Sequence, residues 1–116
     1  LNEPPLFSWI EFNLVGLCNR RCDFCPWSDP EWRSSHFQNV TDNNGSLHLP
    51  TEVYEGVMKD LNKVGFKGGI IYSAFSEPFL YKHLEEVIKI SKEQCPESRI
   101  EVVTNGDFLT IDKLNA

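Results

Sequence analysis

Cys18, Cys22 and Cys25 fall within eight residues as C-x3-C-x2-C, and a fourth cysteine, Cys95, stands far from them. Deprotonated thiolates are ligands for soft metals and iron–sulfur clusters. Three of them this close in sequence can converge on one cubane. A [4Fe–4S] cluster has four irons, so three protein ligands leave one iron open to a small molecule. An electron-transfer ferredoxin instead supplies a fourth cysteine. Structural zinc wants four protein ligands, typically from paired C-x2-C units. Only Cys22-x2-Cys25 has that spacing, and His36, His48 or Cys95 would have to complete the set. A non-enzymatic iron–sulfur or zinc module is therefore the alternative to an enzyme.

The segments around the cysteines indicate what positions them. Residues 7–14 read as a strand, with Ile10, Phe12 and Leu14 alternating against Trp9, Glu11 and Asn13, and the strand runs straight into the cysteine loop. Residues 26–50 form a long irregular stretch with a turn at Asn44-Gly45, a length that is usually functional or mobile. Thr51 is the expected N-cap of a helix whose buried face is Val53, Val57, Leu61 and Val64, stopped by Gly65. A buried strand follows at 69–73, then a loop at 74–80. The next helix shares Leu84, Val87, Ile88 and Ser91 on one face and is closed by Pro96. A third strand at 99–104 ends at Asn105-Gly106, and a further helix starts at Thr110.

The order is β-α-β-α-β, which predicts an α/β fold with a parallel sheet and right-handed crossovers. Loops that follow the strands of such sheets line one rim, where ligands bind. The segments at 18–25, 74–80 and 105–107 all fall on that rim. This coincidence is the structural argument for a site.

Composition narrows the class. The chain has 116 residues, a net charge of −6, 41% apolar and 24% charged residues, as in an ordinary small globular domain. The acidic balance argues against a phosphate-backbone footprint, so nucleic acid is not expected as a partner. No apolar run is long enough for a membrane helix. An odd cysteine trio cannot pair off internally, and no secretory signal is visible. The sequons at Asn39 and Asn44 therefore carry little weight, and a reducing, cytoplasmic setting is expected. Starting at Leu1 and stopping as a helix begins, the chain reads as an excerpt of a longer protein.

Cys18-Asn19-Arg20-Arg21-Cys22-Asp23-Phe24-Cys25-Pro26 resembles the signature of the radical S-adenosylmethionine (SAM) superfamily, with an aromatic before the third cysteine. Ser73-Ala74-Phe75-Ser76-Glu77-Pro78 resembles that superfamily's Gly-Gly-Glu-Pro loop, with Phe75-Ser76 in place of the glycines. Thr104-Asn105-Gly106 resembles the end of the third strand in the branch that carries a C-terminal SPASM-type domain. The resemblance covers nearly the whole chain.

The resemblance implies the N-terminal β-α-β-α-β portion of a partial (β/α)6 TIM-like barrel, residues 1–116 being an incomplete radical SAM core domain that is inactive alone. It implies that Cys18, Cys22 and Cys25 hold a [4Fe–4S] cluster and that S-adenosylmethionine chelates its open iron. Phe24 would lie near the adenine. Glu77 would take the ammonium, helped by the carbonyls of Phe75 and Ser76, and Asn105 would contact cofactor or substrate. The chemistry implied is reductive cleavage of S-adenosylmethionine to a 5′-deoxyadenosyl radical that abstracts hydrogen from a peptide or small molecule. A donor such as flavodoxin or ferredoxin would supply the electron. No protein residue is assigned the catalytic chemistry itself, which belongs to the cofactors.

The remaining residues have plainer readings. Arg20 and Arg21 are expected as solvated loop charges, and His36, His48 and His83 as surface residues. Cys95 is expected as a packed thiol. Trp27 and Trp32 either cover the site or pack the loop that holds them. No P-loop or Gly-x-Gly-x-x-Gly spacing is present.

Overall fold

Alternation in the first strand has its expected cause. In the computed structural model, which describes residues 7–32, 47–73 and 75–116, β1 (Trp9–Phe12) buries Phe12 and half-buries Ile10 while Trp9 and Glu11 are exposed. Leu14 continues the buried row. β2 (Gly69–Tyr72) pairs parallel with β1, Trp9 opposite Gly69 and Phe12 opposite Tyr72. β3 (Ile100–Val102) pairs parallel with β2, Ile70 opposite Ile100. The sheet order is β1-β2-β3, as the alternation of elements predicts.

Between the strands lie α1 (Thr51–Lys63) and α2 (Leu84–Gln94), which pack on each other, and α3 (Ile111–Asn115) follows β3. Two details of α1 differ from expectation. Pro50 is the N-cap and Thr51 the first helical residue, with no side-chain cap; proline's fixed φ suits the entry to a helix. The buried face is Tyr54, Met58 and Leu61, while Val53 and Val64 are exposed. Both stripes have helical spacing and share Leu61, so periodicity alone could not choose between them. The larger Tyr54 and Met58 side chains remove more apolar surface from water.

Gly65 does end α1. Its φ of +69° allows Phe66 N–H to donate to Leu61 O at 3.0 Å and its own N–H to Asn62 O at 3.0 Å. This pair of bonds is a Schellman C-cap. The expected face of α2 holds, with Leu84, Val87 and Ser91 buried. Thr110 caps α3 by accepting from Lys113 N–H.

Tyr54 from α1, Tyr72 from β2 and Ser91 from α2 meet in the core. Tyr54 Oη lies 2.8 Å from Tyr72 Oη and 2.5 Å from Ser91 Oγ, and Tyr72 Oη is 2.9 Å from Ser91 Oγ. Ser91 Oγ donates to Val87 O at 2.8 Å, closing the network on the helix backbone. Burial raises both phenol pKa values, so the hydroxyls stay neutral hydrogen-bonding groups. A satisfied polar cluster joins sheet and helices at one point without leaving a buried polar group unpaired.

Candidate active site

The three suspect loops do meet at the carboxyl ends of the strands. The loop after β1 is held first by the segment entering α1: Leu49 N–H donates to Leu14 O, and Gly16 N–H donates to Leu47 O. Farther along, Cys25 N–H donates to Cys22 O at 2.9 Å and Ser28 Oγ to Cys22 O at 2.7 Å, forming tight turns through the cysteines. Trp27 is buried beneath this loop, with the Arg21 guanidinium 5.7 Å from its ring centroid. Trp27 therefore packs the loop.

All three thiols are free and half-buried. Among the described residues no group of three or more His, Cys, Asp or Glu is placed to hold a single metal ion. A cubane seats each thiolate on a different iron, so its ligands need not gather around one point. The donor set, three unpaired thiols on one short loop, fits an iron–sulfur cluster. Cys95 is buried at the C-cap of α2, its thiol pKa raised by burial, as expected of a packed thiol.

Among the described residues Glu77 is the most deeply buried charged one, 1% exposed. Its N–H donates to Leu17 O at 2.9 Å, attaching the loop after β2 to the loop that carries the cysteines. The carboxylate accepts from Phe79 N–H at 3.1 Å, capping a 3-10 turn at Pro78–Leu80. It also accepts from Thr104 Oγ at 2.6 Å and from Asn105 N–H at 2.8 Å. Three bonds leave acceptor capacity on an ionised carboxylate, which offers about four lone-pair sites.

Phe75 has a φ of +45°, the left-handed region that favours glycine. The position where the family motif has glycine thus keeps a glycine-like backbone. Its ring meets Trp32 edge-on, with centroids 4.7 Å apart. Ser76 Oγ donates to Asn13 Oδ1 at 2.7 Å. The Phe24 ring is 91% exposed beside a shallow depression lined by Asp23, Cys25, Pro26, Ser28 and Asp29.

Asn19 and Asp107, to which sequence reasoning assigns no role of their own, complete the rim with Asn105 and Arg20. Asn105 Nδ2 donates to Asn19 Oδ1 at 2.8 Å, and Asn19 Nδ2 donates to Asp107 Oδ2 at 2.7 Å. Arg20 is ion-paired with Asp107 through both guanidinium and carboxylate forks, with Nε at 2.8 Å. Arg20 is exposed, as expected of a loop charge, and its planar fork also finds a bidentate partner. His83 pairs with Glu86 on the surface, and His48 stacks on Tyr81. His36, Ala74, both sequons and the Asn44-Gly45 turn lie outside the described residues. No helix among the described residues is long and apolar enough to cross a membrane.

No protein-family model matches the chain. Its sequence is 31% identical over 109 residues to the S-adenosyl-L-methionine-dependent 2-deoxy-scyllo-inosamine dehydrogenase of Niallia circulans, covering 94% of this chain and 39% of that protein. Its fold is similar to the crystal structure of BtrN in complex with AdoMet and 2-DOIA, with a TM-score of 0.78 and 31% identity over 97% of this chain and 42% of that one. Selenomethionine BtrN in an open conformation gives a TM-score of 0.75 at 29% identity, covering 97% and 45% of the two chains. The chain thus spans about two fifths of the length of the relatives it matches. Its parallel α/β sheet corresponds to a portion of the BtrN fold. The matched relative is S-adenosyl-L-methionine-dependent and the matched crystal structure holds AdoMet, the cofactor that the resemblance of the cysteine loop after β1 implies.

Proposed function

We propose that the chain is the N-terminal part of a radical SAM core domain, and that the complete protein is a radical SAM enzyme acting on a small molecule. The observation that carries this reading is the convergence of three loops: the cysteine loop after β1, the Glu77 loop after β2 and the Asn105 loop after β3. The dehydrogenase name of the relative favours a small hydroxylated substrate over a peptide. The Thr104-Asn105-Gly106 segment supports the SPASM-associated branch. A cytoplasmic setting and a flavodoxin or ferredoxin donor belong to the same proposal.

When bound, a [4Fe–4S] cluster with S-adenosylmethionine supplies a hydrogen-abstracting radical through one-electron reduction of the sulfonium. Cys18, Cys22 and Cys25 would hold the cluster by their thiolates. The Glu77 carboxylate would accept from the methionine ammonium with its remaining capacity, alongside the carbonyls of Phe75 and Ser76. The exposed Phe24 ring offers an apolar plane to a flat heterocycle. Asn105, fixed by its bonds to Glu77 and Asn19, would face cofactor or substrate from the third loop. These residues bind and orient, and Trp27 excludes water beneath the cysteine loop.

The test is anaerobic reconstitution of the complete protein, then iron and sulfide analysis and incubation with dithionite and S-adenosylmethionine. About four irons and four sulfides for this loop, with release of 5′-deoxyadenosine, are expected. Stoichiometric zinc with no nucleoside product would overturn the proposal in favour of a metal-binding module.

A further inference from the structure

Asp107, on the rim segment after β3, has no role in the site assigned from sequence, yet its carboxylate accepts three hydrogen bonds from the cysteine loop. Its Oδ2 accepts from Asn19 Nδ2 at 2.7 Å and from Arg20 Nε at 2.8 Å, and its Oδ1 accepts from Arg20 Nη2. Its N–H donates to Asn105 Oδ1 at 3.0 Å, while Asn105 Nδ2 donates to Asn19 Oδ1 at 2.8 Å. Asn19, Asp107 and Asn105 therefore form a closed ring of hydrogen bonds. Through Asn105 N–H the ring joins the buried Glu77 carboxylate.

We propose that Asp107 is a positioning residue for the cluster loop, holding the Asn19-Arg20 segment so that Cys18 and Cys22 face a common site. The proposal rests on the cluster reading above. Asn19 and Arg20 are the two residues directly after Cys18 and lead into Cys22, so fixing both side chains fixes the backbone between two ligands. An isolated exposed ion pair contributes little, and the Arg20 and Asp107 side chains are 50% and 34% exposed. Here the pair is bidentate and shares its carboxylate with a second donor, and such geometry supplies orientation as well as attraction. Groups that orient metal ligands from behind typically change metal retention by about 10–100-fold when removed.

The experiment compares the reconstituted complete protein with its Asp107→Ala, Arg20→Gln and doubly substituted variants. Iron release to a ferrous chelator is timed, and amide hydrogen exchange across residues 18–25 is measured in the metal-free proteins. Asp107→Ala is expected to release iron about tenfold faster or more, and to speed exchange through the loop while the strands stay protected. The double variant is expected to release iron no faster than Asp107→Ala, because both residues act through one contact. Wild-type rates of iron release and exchange in both single variants overturn the proposal, as do fully additive losses in the double variant. A wild-type protein that takes up no cluster defeats the cluster reading instead, and the exchange data still report on the tie.

Discussion

The backbone N–H of Asn105 donates to Glu77 Oε2 at 2.8 Å, bonding the loop after β3 to a carboxylate that is 1% exposed. Thr104 Oγ and Phe79 N–H donate to the other oxygen. Glu77 is thus both a candidate ligand for a cationic group and the pin that holds two rim loops together.

Replacing Glu77 should therefore have two separable effects. Glu77→Ala leaves the three donors without their acceptor and is expected to cost about 1–3 kcal/mol of stability in denaturant titration. Affinity for S-adenosylmethionine should fall by about 1.5–3 kcal/mol, as for a lost bond to a charged group, while the cysteines still take up iron. An unchanged affinity, measured on folded variant, would remove Glu77 from the cofactor site.

At Phe75 the backbone, more than the side chain, is constrained. Phe75→Gly removes the penalty of the positive φ but loses the edge-on contact with Trp32, so stability should change little. Phe75→Val places a β-branched residue in the same conformation and should be about 1–2 kcal/mol less stable than the glycine variant. Equal thermal midpoints for the two would show that the left-handed backbone is not retained in solution.

Gly68 sets the close approach at the start of β2. A Cβ there would run into the Ser8 carbonyl and the Phe66 ring, and the backbone atom cannot yield cheaply. Gly68→Ala is expected to destabilise by about 1–3 kcal/mol, in the range of overpacked sites. Chemical denaturation of the complete protein checks this.

The phenols should titrate late. Burial, assisted by Glu86 and Glu52, pushes Tyr81 up to about 12, and burial raises Tyr54 and Tyr72 as well. A raised pKa means that the folded state holds its proton where the unfolded chain, near the usual value of 10, has lost it. The stabilisation is therefore complete below pH 10 and is lost as pH rises through the folded values. Tyrosine 13Cζ NMR should show these three rings un-ionised at pH 10, with unfolding above it. Phenolate signals from all three in folded protein at pH 10 would contradict the packing.

Much of the fold was legible because it rests on local patterns. The alternation of Ile10, Phe12 and Leu14, the Gly65 stop and the Leu84–Val87–Ser91 face are short-range signals. The face of α1 was misread because Val53 and Tyr54 begin equally good stripes, and the choice is made by a hydroxyl network with Tyr72 and Ser91. At the site, the cysteine spacing and the Glu77 loop were recognisable as motifs. The ring of Asn19, Asn105 and Asp107 was not, since it joins side chains nearly ninety positions apart and leaves no periodic trace. Phe75 offered one hint, as a bulky residue where the family motif has glycine, and the positive φ explains what that position requires.

The most direct measurement is the EPR spectrum of the reduced complete protein before and after addition of S-adenosylmethionine, alongside Cys22→Ala. A [4Fe–4S]+ signal that shifts when the cofactor binds, and is lost in Cys22→Ala, is the predicted result. A signal indifferent to S-adenosylmethionine, or one that survives in Cys22→Ala at full intensity, would contradict the account.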